Sequence, residues 1–295
     1  MSPYSSWEFT DDRGHLTVAP RRPERVVAYI QAGATLWDHG LRPLGVFGSH
    51  HDGDSPDPAK AGGLPLGSTR DFGAGSSVDP EAVVAAGPDL LVAVSYGGGQ
   101  IYGIDPEAAK HLEEQLPVVV IDVGKDRPLD GIRDRFTALA RSLGAPREPD
   151  VQDLAWARDR LRTLTARPAA ARVLALSAAG PGSVHLARPG TWPDLRALSA
   201  LGVDLLDPGH GAGGNWCTTD WAQALALDPD VVLGGRTGER GHPRSAARRR
   251  PLARASGAGA DRGVESGGPV QSPGTRAFRG HGGGGAVGGV SVACR

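Results

Sequence analysis

Apolar residues along this chain fall into short unbroken runs and longer periodic ones, and the two alternate. The unbroken runs are too short for helices and rich in Val, Ile and Leu, so they predict buried strands at 25–30, 44–48, 90–94, 117–123, 172–177, 184–187 and 203–206. Between them, apolar residues at steps of three and four predict helices at 34–39, 105–116, 129–143 and 191–201. Gln31-Ala-Gly33 reads as the turn into the first of these, and Gly40 and Gly144 as stops. Thr191 is the expected cap of the helix at 191–201, with Pro193 in its first turn. WEFTDDRGHLTVA, at 7–19, predicts a hairpin turning at Asp-Arg-Gly. Residues 50–69, rich in Gly, Pro and Asp, read as loop.

The organising stretch is PDVQDLAWARDRLRTLTAR, 149–167. Val151, Leu154, Ala157, Leu161 and Leu164 share one helical face, and Pro149 and Pro168 bracket the run. At ~1.5 Å per residue it would reach roughly 28 Å. The segments on either side repeat one another. DPEAVVAAGPDLLVAVS at 79–95 and DWAQALALDPDVVLGG at 220–235 are each a short helix, Pro-Asp, then a buried strand. The expected architecture is α/β, with two Rossmann-like lobes of mostly parallel sheet joined by this single long helix and a ligand cleft between them. The boundaries fall at 1–145 for the first lobe, 149–167 for the helix, 168–240 for a truncated second lobe and 241–295 for an irregular tail.

Composition changes the picture only by exclusion. A formal charge of -1 gives no argument for nucleic acid. Two cysteines make no disulfide framework, and Cys217 reads as a small buried residue. No apolar run approaches the roughly 20 residues of a membrane helix. The first residues show no secretory leader, so the chain as written is expected in the cytoplasm.

In open α/β sheets ligands sit beyond the carboxyl ends of the strands. Those ends carry Tyr29 and Gln31, then Ser95 and Tyr96 in the loop SYGGG, with Tyr102 close behind. Three consecutive glycines permit close approach of backbone to a ligand or simple flexibility. A phosphate loop is disfavoured, because no Gly-Lys-Ser/Thr ending is present there. Aromatics are 5% of the chain, so Trp37, Trp192, Trp216 and Trp221 stand out. Trp37 and Trp221 lie within helices and read as packing. Trp192 and Trp216 join the Tyr residues as candidate walls for a large, partly apolar ligand, with Trp216 in a Gly-rich loop. Arg188 could pair bidentately with an anionic ligand or be a solvated loop residue. His50-His51 beside Asp52 and Asp54 reads as loop rather than metal site, because adjacent histidines converge poorly on one ion. No nucleophile elbow is present, so neither catalysis nor a resident cofactor is expected.

The order DDRG (11–14), PERVVAY (23–29), LRPLGV (41–46), PEAVVAAGPDLLVA (80–93) and DPDVVLGGRTG (228–238) resembles the helical-backbone substrate-binding proteins of ABC importers, in particular the ferric-siderophore and cobalamin receptors. The resemblance implies an extracytoplasmic, monomeric, non-enzymatic protein holding a metal chelate between two lobes and docking on an ABC permease. It implies a docking Glu on each lobe. Glu81, seven residues before Pro88, matches the first, while Ala222 stands seven before Pro229. The rival readings are a two-lobed α/β transferase and a non-functional product of a broken gene.

The tail departs from that pattern. From about Gly241 the chain is rich in Arg, Gly, Ala and Pro, where the resemblance implies a strand, a Trp-Asn-Pro loop and a last helix. Codons compatible with residues 259–273, read one base later, spell GQIVEWNPEAPFSH. A frameshift between about 235 and 250 is therefore expected.

Overall fold

A computed structural model describes residues 6–50, 55–124, 126–167, 170–209, 213–235 and 290–294. The hairpin pairs β1 (Trp7–Thr10) antiparallel with β2 (Leu16–Ala19). Its turn is tied to the rest of the lobe by two carboxylates. Asp11, 4% exposed, accepts hydrogen bonds from the backbone N–H of Arg13, His15 and Val120. Asp12 accepts from the N–H of Asp122 at 2.9 Å and from Arg135 Nε at 2.6 Å.

β3 (Val26–Tyr29) runs directly into α1 (Ile30–Asp38), so Gln31, Ala32 and Gly33 form the helix's first turns rather than a loop before it. Gly33 is there for packing: a Cβ on it would lie 2.8 Å from Val46 Cγ1. β4 (Gly45–Phe47) comes next, then α2 (Pro58–Ala61), a single turn capped by Asp57 within the expected loop, and β5 (Arg70–Asp71). α3 (Pro80–Ala85), β6 (Leu90–Ser95), α4 (Pro106–Gln115), β7 (Val118–Asp122) and α5 (Leu129–Ser142) complete the lobe. Asp79 and Asp105 each accept a hydrogen bond from the N–H two residues on, which is why Asp-Pro starts both α3 and α4.

The strands pair parallel in the order β5-β4-β3-β6-β7. The chain reverses its winding between β3 and β6, which leaves a crevice at their carboxyl ends. Every residue of β6 is buried, and on α5 Ile132, Phe136 and Leu139 face the sheet as their spacing predicts. Burying each such side chain contributes about 1.5–3 kcal/mol, so this lobe has a substantial core.

α6 (Gln152–Thr165) is the expected connecting helix, continuous and slightly shorter than the pattern indicated. Beyond it come β8 (Arg172–Ala178), β9 (Val184–Ala187), α7 (Pro193–Ala200), β10 (Asp204–Leu205), β11 (Trp216–Thr219), α8 (Trp221–Ala226), β12 (Val231–Gly235) and β13 (Val290–Cys294). The second sheet has the order β11-β9-β8-β12-β13, with β10 also on β8. It is mixed rather than mostly parallel. β12 and β10 run parallel to β8, whereas β9, β11 and β13 each run antiparallel to their neighbours.

Three further details depart from the sequence expectation. α7 starts at Pro193, and Thr191 Oγ1 donates back to the Arg188 carbonyl at 2.9 Å instead of capping it. Trp216 lies on a strand, not in a loop. The tail expected to be irregular contributes β13, whose backbone pairs Val290 with Gly235 and Cys294 with Val231. Residues 241–289 of that tail lie outside the described residues.

The second core is thin and split by its sheet. Val173, Ala175, Ala187, Leu195 and Leu233 pack on one face, and Leu174, Leu176, Val184, Leu186 and Ala224 on the other. α6 buries none of its residues. It is tied to the rest at its middle, through Arg158 Nη2 donating to Asp130 Oδ1 at 2.6 Å, and at its last residue, through Thr165 Oγ1 donating to the Leu201 carbonyl at 2.7 Å.

Candidate functional site

The crevice of the first sheet is floored by aromatic rings. Tyr29, at the end of β3, is fully buried and meets Phe47 and Tyr102 edge-on, each at 5.9 Å between centroids. Tyr102 in turn meets Tyr96 at 4.7 Å. Tyr96 and Tyr102 are 36% and 40% exposed, so they form the accessible layer and Tyr29 the layer beneath. Gly48 makes room for the buried ring. Its φ is +87°, and a Cβ there would sit 2.5 Å from Tyr29 Cε2. The Tyr29 hydroxyl and Ser49 Oγ are both buried without a hydrogen-bond partner among the described residues. Burial pushes the Tyr29 hydroxyl's pKa far up, so it stays protonated.

The SYGGG loop is shaped rather than slack. Gly97, Gly98 and Gly99 all take positive φ, a conformation other residues rarely hold. Gly97 N–H donates to Asp122 Oδ1 at 3.1 Å, and Tyr102 N–H donates to the Val94 carbonyl at 2.9 Å. Asp122 also accepts from Gly124 N–H at 2.9 Å. Ser95 is buried at the strand end, 1% exposed, and Gln31 is half-buried in the first turn of α1.

The second lobe offers its own aromatic pair. Trp192, just before α7, meets Trp216 of β11 at 5.1 Å and 61°. Trp192 Nε1 donates to the Asn215 carbonyl at 3.1 Å, and His185 stands 6.2 Å from the Trp216 ring. Arg188 is half-buried at the end of β9, with its guanidinium donating to the Gly209 carbonyl. Arg196 of α7 bridges to the first lobe, donating from Nη2 to the Arg127 carbonyl at 2.5 Å. That places α7 near Arg127, a few residues after Asp122, the carboxylate that holds Gly97.

Asp194 stands in the first turn of α7, near enough for its charge to act on Tyr96. Tyr96 is pushed up by burial, then by Tyr102, then by the charge of Asp194 in the other lobe. Burial raises Asp194 in turn, only partly offset by the N–H of Leu195 and its own N–H. The structure thus gathers Tyr29, Tyr96 and Tyr102 in one cluster and Trp192 and Trp216 in another. Sequence reading missed Asp122, which anchors the glycine loop, and Asp194. The only local signal for Asp194 was a Trp-Pro-Asp helix start, which says nothing of what lies opposite.

Two other expectations concern the surface. Glu81 is exposed at the start of α3, with Oε1 3.0 Å from His111 Nε2, and Ala222 is exposed at the matching position of α8. His50 Nε2 lies 3.1 Å from Asp71 Oδ2, while His51, Asp52 and Asp54 lie outside the described residues. Among the described residues no three His, Cys, Asp or Glu side chains are grouped to hold a metal. No helix among them is long and apolar enough to cross a membrane. Cys217 is a free thiol and half-buried.

No protein-family model and no curated protein matches the sequence. Solved structures do. The chain is similar to DesE, a ferric-siderophore receptor protein from Streptomyces coelicolor, at 28% identity and a TM-score of 0.67, covering 77% of this chain and 80% of that one. It is also similar to a periplasmic heme binding protein from Pseudomonas aeruginosa at 20% identity and a TM-score of 0.52, over 72% and 71% of the two chains. The periplasmic vitamin B12 binding protein BtuF of Vibrio cholerae matches at 17% identity and a TM-score of 0.50, over 72% and 77%. The fold is therefore that of the two-lobed periplasmic binding proteins.

Proposed function

We propose that this chain is a non-enzymatic binding protein for a metal chelate, a ferric siderophore above all, serving as the substrate-binding component of an ABC importer. The observation that carries the reading is the pair of aromatic clusters, Tyr96–Tyr102 and Trp192–Trp216, at the strand ends of two lobes whose fold matches a ferric-siderophore receptor at 28% identity. A large chelate with an apolar periphery and few charges suits such walls. Titrating ferric trihydroxamate, catecholate, haem and cobalamin ligands against the chain and against a version with the reading frame restored after about 235, read by tryptophan fluorescence, tests it. Quenching by a trihydroxamate at micromolar concentration or below supports the reading. Absence of binding to every chelate, with turnover of a nucleotide-linked substrate, would favour the transferase instead.

Glu81 in this reading docks on the permease, and the exposed Ala222 leaves the second lobe without the matching carboxylate. We further propose that the chain after about 235 is read out of frame. Support comes from the alternative reading GQIVEWNPEAPFSH and from α6, where Trp156 is 67% exposed, with Val151 just before it 52% exposed. Such a helix lacks a packing partner among the described residues. The nucleotide sequence from Asp228 to the stop codon decides the matter: a single-base change that restores the Trp-Asn-Pro ending supports it, and DNA allowing none refutes it. A frame-broken gene would also make the product a receptor without function.

A further inference from the structure

Strand β7 ends its run of buried Val and Ile in a carboxylate, Asp122. Its Oδ1 accepts from the N–H of Gly124 at 2.9 Å, the ordinary turn an Asp makes with the backbone two residues on. Two further contacts are not of that kind. The same oxygen accepts from Gly97 N–H at 3.1 Å, 25 residues back along the chain. Oδ2 lies 3.6 Å from Arg127 Nε. Gly124 lets the two backbones meet, because a Cβ there would lie 2.7 Å from the carbonyl carbon of Tyr96 and 2.9 Å from Gly97 N. Next to it, Val123 N–H donates to the Ser95 carbonyl at 2.8 Å. The loop that carries Tyr96 is thus seated on the residues following β7.

The same residues reach the second lobe. The Arg127 carbonyl accepts from Arg196 Nη2 at 2.5 Å. Arg196 N–H donates within α7 to the Trp192 carbonyl at 2.9 Å, and the Trp192 ring stands 5.1 Å from that of Trp216. Contacts therefore run in series from Gly97 through Asp122, Arg127 and Arg196 to Trp192, one aromatic wall at each end. Asp122 is itself held from behind, since its N–H donates to Asp12 Oδ2 at 2.9 Å. Three glycines at positive φ have no side chains to hold a loop in shape. A hydrogen bond to a carboxylate is roughly twice as strong as one between neutral groups, so the Gly97 bond to Asp122 is a main determinant of where the Tyr96 ring stands.

We propose that Asp122 is the positioning residue of the binding crevice: it fixes the loop that carries Tyr96 and, through Arg127 and Arg196, couples that loop to the start of α7 beside Trp192 and Trp216. The effect on ligand rests on the chelate-binding reading above, whereas the coupling between the lobes is a property of the free protein. Asp122 acts through Tyr96 on one side and through Arg127 on the other, without touching the ligand itself. Removing its carboxylate costs affinity only while Tyr96 is there to be misplaced.

The first measurement needs no ligand. Hydrogen exchange by mass spectrometry on the full chain compares wild type with Asp122→Ala and Arg196→Met in peptides covering 95–104 and 192–200. Each variant should speed exchange in both segments, because coupling between two sites is reciprocal. Faster exchange confined to the segment each variant touches overturns the coupling. The second measurement is a cycle of ferric trihydroxamate affinities, on the chain and on a version with the frame restored after about 235. Asp122→Ala should weaken binding about tenfold when Tyr96 is present, within the reach of coupling through a packed network. In Tyr96→Ala the further loss should be under about twofold, while the urea midpoint falls equally in both backgrounds. An equal loss of affinity in both backgrounds overturns the positioning role, since a purely structural residue acts alike in each. If no chelate binds the wild type in either form, the chelate-binding reading and the positioning role fail together, and exchange still decides the coupling. Should Asp122→Ala fail to fold by circular dichroism, Arg196→Met carries the exchange test.

Discussion

Replacing Asp11 should unlatch the N-terminal hairpin from the first sheet. The side chain is fully buried and accepts four hydrogen bonds: Arg13 N–H at 2.9 Å, His15 N–H at 3.0 Å, Val120 N–H at 3.2 Å and Arg13 Nε at 2.9 Å. Asp11→Ala leaves the buried Val120 N–H and two turn N–H groups without their acceptor, while Arg13 keeps its second partner Glu113, so the loss should be about 2–4 kcal/mol. Asp11→Asn keeps one acceptor oxygen but turns an N–H₂ toward other donors, and should cost about 1.5–3 kcal/mol. pH gives a second handle. Burial alone would raise the Asp11 carboxyl, but the bonds from Arg13, His15 and Val120 together hold it below the usual carboxylate range. A carboxyl depressed in the folded state contributes stability above its unfolded pKa of about 3.9 and loses it as pH falls through the folded value. Urea melts of the full chain, followed by circular dichroism at pH 7 and then toward pH 3, measure both effects. A change under about 0.5 kcal/mol for Asp11→Ala at pH 7, the range of an ordinary surface substitution, would refute the latch.

The site and the surface yield further expectations. Tyr96→Ala and Trp216→Ala should each weaken trihydroxamate binding by about 1–3 kcal/mol while leaving the urea midpoint nearly unchanged, if these rings are central anchors. Gly48→Ala puts a methyl 2.5 Å from the buried Tyr29 ring, and should destabilise the protein by at least about 1–3 kcal/mol through overpacking. The same change should disturb Tyr102 above that ring, read as reduced quenching by the chelate in protein that remains folded. Leu154→Lys and Leu164→Lys together should raise the concentration at which the chain stays monodisperse in light scattering, because they break up the exposed apolar stripe of α6. On the importer reading proposed above, Ala222→Glu should strengthen association with a cognate ABC permease in a reconstituted pull-down, and Glu81→Ala should weaken it.

What the sequence conveyed well was what local chemistry decides. Asp-Pro marked the starts of α3 and α4 because the carboxylate caps the very turn that proline opens. Pro88 and Pro229 separated helix from strand in both repeats, since proline cannot continue either helix. The failures were matters of tertiary context. Gly33 looked like a turn residue, yet it is a contact residue that lets α1 approach Val46. Thr191 had the right side chain for a cap, but its hydroxyl found the Arg188 carbonyl first. β11 alternates weakly in sequence and owes its extended form to pairing with β9. The candidate site divides the same way. Strand ends located the tyrosines, whereas the burial of Tyr29 under Tyr102 and the nearness of Asp194 to Tyr96 arise only when distant segments meet.

The connecting helix shows the limit of pattern reading from the other side. Its apolar stripe is genuine, and the helix forms. Yet Val151, Leu154 and Leu164 are 52%, 41% and 42% exposed, and no residue of α6 is buried. A helix of this length is marginal in water without a packed face. Here it is held by one tie at its middle, to Asp130, and one at its last residue, to Leu201. An amphipathic stripe records that a partner surface is needed; it does not identify that partner, and neither the first sheet nor the second supplies it among the described residues. The first lobe, whose helices do bury their stripes, sets the comparison: on α5 the equally spaced Ile132, Phe136 and Leu139 are 4%, 5% and 0% exposed. Two helices of equal length and similar patterning thus reach opposite outcomes. The difference lies in the surface each helix has to fold against. α5 comes after all five strands of the first sheet and packs back onto a large core, whereas α6 leads into a lobe whose core is thin on both faces.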